Sequence, residues 1–194
     1  ILSYGLGDWF DLGPSRPGPS QLTPMALTAT SIYFNDVDIL SKVAGVLGKK
    51  EDAGKYAALA AQIKSAFNKK FFNPQTKVYG SGSQTSYAMP LVVGLVEPQY
   101  KKTVMDNLVQ SSKTSSNTIT GGDIGFCYFF RALEDGGASQ LLYEMNNRDD
   151  VPGYGYQLKH GATALTESWP ALKYVSNNHM MLGHLMEWLY SGLG

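Results

Sequence analysis

Glu167 is the residue of this 194-residue chain whose surroundings best suit chemistry. It lies in HGATALTESWP, with Trp169 two residues on and no Lys or Arg within five positions. A carboxylate in such company is either paired across space or held for a reaction. The plainer reading is a structural Glu satisfied by hydrogen bonds. A second polar cluster, Ser176-Asn177-Asn178-His179, follows close behind. Three more polar residues sit in uncharged, glycine-rich stretches: Asp8 beside Trp9 in GLGDW, Gln84 in GSGSQTS and Asp123 in TGGDIG. Indole faces stack on the C–H-rich faces of sugar rings, and Asp, Gln and His fix hydroxyls by hydrogen bonds. Together these residue types point to carbohydrate chemistry. Asp123, just ahead of an apolar helix, reads as that helix's N-cap. Gln84 suits a loop-stabilising amide equally well, and His179 a capping or core histidine. His160 and His184 read as structural, and the pair Met180-Met181 as packing.

The bulk properties narrow the partners. The chain carries 16 basic and 16 acidic residues, with no block of one sign, which argues against nucleic acid or an anionic membrane surface. No stretch approaches the roughly 18 consecutive apolar residues of a membrane span. Cys127 is the lone cysteine, so no internal disulfide forms, and one Cys with three scattered His gives no metal-ligand spacing. The length fits one domain with a sizeable core. Charged residues are only 16% and aromatics 12%, so part of the surface should meet something other than water.

The elements that must position these residues are helices. Thr23-Pro24 predicts a start, Thr as cap and Pro at the first helical position, and Gly48 a stop. Further helices are expected over 51–67, 87–96, 98–109, 123–133, 138–146 and 176–189, the last with Leu182, Leu185, Met186 and Leu189 as one stripe. The tract SSKTSSNTITGG reads as a surface loop, and no convincing strand pair is visible. Helices that are apolar all round alternate with amphipathic ones, which predicts inner and outer layers of helical hairpins. The loops entering the inner helices then gather at one end. GLGDW, GSGSQTS, TGGDIG and HGATALTESW thus become the rim of a pocket.

The segments YGLGDWFDLGP, LTPMALTATSIYF, SQTSYAMPLVVGLV, TGGDIGFCYFF, GATALTESW and SNNHMMLGHLMEW resemble the bacterial α-L-rhamnosidases, over essentially the whole chain. The resemblance implies an inverting glycoside hydrolase acting on a rhamnose-containing glycoside, with an (α/α)6-barrel catalytic domain and no cofactor. It places the general base on the Glu of the E-x-W motif, here Glu167. It also places a rhamnose-binding His at His179 and a stacking Trp at Trp9. Asp8, Gln84 and Trp169 join as substrate-binding candidates from their place on the rim. The family's general acid lies in an Arg- and Glu-rich segment ahead of the GDW motif, and residues 1–194 contain none. The expectation is therefore an all-α chain, an incomplete (α/α)6 barrel of about eight helices. It would form the C-terminal portion of one catalytic domain, with the missing N-terminal hairpins as its partner. Two readings stay open beside this one: another (α/α)-barrel glycoside hydrolase, and a non-catalytic carbohydrate-binding helical domain. Oligomeric state and compartment are not legible.

Overall fold

A computed structural model describes residues 1–193. Among them are eight α-helices: α1 (Met25–Val46), α2 (Lys50–Phe71), α3 (Gln84–Val93), α4 (Lys101–Thr114), α5 (Gly125–Asp135), α6 (Ser139–Asn146), α7 (Tyr154–Lys159) and α8 (Leu185–Leu193). The expected alternation is present. α1, α3, α5 and α8 form a row in which each packs on the next, while α2 covers α1, α4 covers α3 and α6 covers α5. The fold is all-α, with inner and outer layers.

Local chemistry explains the elements. α2 opens with Glu51 and Asp52 and closes with Lys69 and Lys70, matching the helix dipole, and buries Ala60, Ile63 and Phe67. Ser83 caps α3 by accepting from Ser86 N, and Gly94 ends it at φ 83°, a left-handed turn that glycine adopts freely. α5 is the centre of the core: Phe126, Phe129, Phe130 and Leu133 are buried, each such burial worth about 1.5–3 kcal/mol.

Several sequence expectations are corrected. Pro24 is the N-cap of α1 rather than its first residue, and Thr23 bonds Ser83 Oγ at 2.7 Å instead of capping. A two-residue antiparallel pair exists after all, β1 (Phe72–Asn73) with β2 (Val78–Tyr79), closing the α2–α3 turn. The polar tract from Ser111 is not all surface loop. It begins as the last turn of α4 and ends with Gly121 and Gly122 buried. Residues 176–179 are not helical: the chain bends at 177 and 178, and His179 is extended before a 3-10 turn at Met180–Leu182. α7 was not expected in its Gly- and aromatic-rich stretch. The C-terminal stripe is split: Leu182 is buried, whereas Met186 and Leu189 are exposed. Ile39, Leu40 and Val43 of α1 are exposed too, so both ends of the inner row carry uncovered apolar side chains.

Candidate active site

The loops entering α1, α3 and α5 are tied together by buried side chains. Asp8, wholly buried, accepts from Thr85 Oγ1 at 2.6 Å and from Gly125 N at 2.7 Å, joining the starts of α3 and α5. Burial pushes its carboxyl up to about 6 against the pull of these bonds. The approach requires glycine at 125, where a Cβ would stand 1.9 Å from Thr85 Oγ1 and 2.6 Å from Asp8 Oδ2. Gln84 spends its whole amide on the neighbouring loop, donating to Thr118 O and accepting from Thr120 N, both at 2.9 Å. Leu12 N donates to Thr120 O and Asp123 N to Trp9 O, stitching the GDW loop to the TGGDIG loop. Gly122 permits this seam, because a Cβ there would meet Trp9 O at 2.0 Å.

A second unit hangs on this frame. Glu167 N donates to Ser176 O and His179 N to Leu165 O, so segments 165–167 and 176–179 run paired and carry Glu167 and His179 side by side. Glu167 Oε2 accepts from Ser176 N at 3.1 Å. Trp169 anchors the unit. Its Nε1 donates to Gly121 O at 2.9 Å, and its ring meets Phe126 and Tyr154 edge-on at 4.7 and 5.2 Å.

Where frame and second unit meet, Asp123, Glu167 and His179 converge, each offering a ligand-type atom within 4.8 Å of the others. They do not saturate one another. His179 Nε2 stands 3.7 Å from Asp123 Oδ2, too far for a hydrogen bond. That nitrogen and Asp123 Oδ1 are both buried without a partner, whereas buried polar atoms ordinarily have one. Asp123 is 6% exposed, and burial, then the charges of Glu167 and Asp8, push its carboxyl up to about 7. Two carboxyls and an imidazole set like this can seat a small polar group, a water, a hydroxyl or a divalent cation. A cavity of about 460 Å³ around Met105, Ala132 and Gly136 lies at the other end of α5, away from this convergence.

The expected site residues therefore divide. Glu167 and His179 come together, and Trp9 is bonded through its backbone O to Asp123 N, with its indole half-buried and edge-on to Phe10 at 5.6 Å. Asp8, Gln84 and Trp169, expected to touch substrate, here hold protein to protein. Each is at most 1% exposed and its polar atoms are engaged with protein. Asp123, read from the sequence as a helix cap, converges with Glu167 and His179 instead. It does not cap α5, because the N–H groups it would bond are taken, Gly125 N by Asp8 and Phe126 N by Gly122 O.

The family model described as bacterial alpha-L-rhamnosidase 6 hairpin glycosidase domain matches residues 1–193. An alpha-L-rhamnosidase of Formosa agariphila is 27% identical over 192 residues, covering 94% of this chain and 21% of that protein. The structure of alpha-L-rhamnosidase from Dictyoglumus thermophilum superposes with a TM-score of 0.86 at 34% identity, covering 96% of this chain and 21% of that one. Streptomyces avermitilis alpha-L-rhamnosidase, solved complexed with L-rhamnose, superposes at 0.87 with 24% identity, covering 98% of this chain and 18% of that one. The chain thus spans about a fifth of the length of the curated relatives it matches.

Proposed function

Because the chain belongs to the bacterial alpha-L-rhamnosidase 6 hairpin glycosidase domain family, we propose that it supplies the general base and the sugar contacts of a hydrolase removing terminal α-L-rhamnose with inversion. The observation that carries this is the convergence of Glu167 and His179 beside Asp123, with buried polar atoms left free to bind. Glu167 is the base. Ser176 N–H holds one side of its carboxylate at Oε2, which orients the group toward the proton of an attacking water. His179 is a rhamnose contact, and the Trp9 indole stacks on the ring. The acid that protonates the leaving oxygen comes from a segment outside residues 1–194. Inverting carboxyls stand roughly 6.5–9.5 Å apart across the water. Asp123, with a carboxylate oxygen within 4.8 Å of Glu167, is too close to be that acid.

In the full-length enzyme, Glu167→Gln should lower kcat on an aryl α-L-rhamnoside by about 10²- to 10⁴-fold; near-parental turnover would remove Glu167 from the base role. One observation favours a different course. Retaining pairs stand only about 5–5.5 Å apart, close to the Asp123–Glu167 approach. Proton NMR of the first-formed sugar separates the two: β-L-rhamnose supports inversion, and α-L-rhamnose overturns it.

A further inference from the structure

Three atoms that all lie within 4.8 Å of one another share a centre no more than about 2.8 Å from each, the length of an O–H···O hydrogen bond. One oxygen at that centre reaches Asp123, Glu167 and His179 together. The site is built for such an occupant. Asp123 is more than nine-tenths buried with Oδ1 unpartnered, and His179 Nε2 is likewise buried and unpartnered. The backbone on which Asp123 sits is fixed by Trp9 O and leaves its side chain no capping duty.

We propose that Asp123 is a positioning residue for the nucleophilic water, completing with Glu167 and His179 a three-point seat for a single oxygen. The proposal rests on Glu167 as general base. A sugar hydroxyl has one O–H to offer, whereas water has two, which suits a seat of two carboxyl groups and one imidazole. One O–H points at Glu167. The other O–H and one lone pair are shared between Asp123 and His179, leaving the last lone pair for the anomeric carbon. That pair forms the new C–O bond as the glycosidic C–O bond breaks with its electrons. The leaving oxygen takes a proton from the acid outside these residues, and Glu167 takes the water's proton.

The test uses the full-length enzyme with Asp123→Asn, Asp123→Ala and Glu167→Gln, reading kcat on an aryl rhamnoside and the Kd for L-rhamnose. Both Asp123 variants should lose about 10- to 100-fold in kcat, the worth of a hydrogen bond to a charged group, while still binding rhamnose like the parent. Retained binding also reports that each variant is folded. Azide needs no proton acceptor and should restore part of the turnover of Asp123→Ala, giving β-L-rhamnosyl azide. Unchanged kcat in both Asp123 variants, with Glu167→Gln inactive, overturns the seat and leaves the base standing. Activity in Glu167→Gln takes down both. Weakened rhamnose binding at unchanged kcat makes Asp123 a sugar ligand instead. Activity lost to EDTA and restored by Mn²⁺ or Zn²⁺ alone makes the centre a cation site; either result overturns the proposal.

Discussion

Asp8 and Asp123 are two aspartates in the same set of loops, both buried and both pushed upward in pKa chiefly by that burial. They differ in what surrounds the carboxyl. Asp8 holds a hydroxyl and a backbone N–H at hydrogen-bond length. Asp123 has one oxygen without a partner and the other 3.7 Å from an imidazole nitrogen that also lacks one. Burial and a shifted ionisation thus mark frame and centre alike. Saturation tells them apart: a satisfied carboxyl fixes protein to protein, while an unsatisfied one is kept for something that arrives.

Replacing each aspartate breaks or sharpens the contrast. Asp8→Ala orphans the Thr85 hydroxyl and Gly125 N–H, each costing about 1–3 kcal/mol. It should therefore lower the melting temperature and carry activity down with it. Asp123→Asn removes no protein–protein bond and should leave the melting temperature unchanged or raised. Equal losses in thermal melts would erase the distinction between frame and centre. A smaller effect is expected at the centre's other arm. His179→Ala should weaken rhamnose affinity in calorimetry by roughly 1–3 kcal/mol with the fold intact; affinity equal to the parent's would move His179 to the frame. The last effect is pH dependence. Both carboxyls titrate higher in the fold than the usual unfolded value near 4. The native state therefore holds extra protons, and the stability they bring is complete below about pH 4. It is lost as pH rises through about 6 for Asp8 and about 7 for Asp123, on the order of 1 kcal/mol per pH unit for each group. Urea unfolding should show a protein more stable at pH 5 than at pH 7.5, with the upper part of the slope flattened in Asp123→Asn. An unaltered slope in that variant would deny Asp123 its share.

The layered helices were legible because the cue is local: apolar and amphipathic stretches differ in composition, and the inner row follows from that difference. The rim was legible for the same reason, as uncharged glycine-rich loops ahead of inner helices. Roles on the rim were not, because they depend on partners remote in sequence. Asp8 finds Gly125, Gln84 finds Thr118 and Thr120, and Trp169 finds Gly121. Asp123 was misread by a sound local rule. An Asp ahead of a helix caps it unless another group takes the N–H, and here Asp8 does. The exposed Met186 and Leu189 were misplaced because apolar spacing shows which residues share a helix face, not whether a neighbour covers it.

The Trp169 anchor has a consequence for how the site fails. Glu167 and His179 share one paired segment, which the Trp169 indole ties to the frame by a hydrogen bond to Gly121 O and an edge contact with Phe126. If that tie is cut, Glu167 and His179 depart together, and Asp123 stays behind with the frame. Loss of function by this route should then be all-or-none, each molecule holding a whole centre or none. A population of such molecules would show fewer working sites, each turning over at its full rate, rather than many sites working slowly.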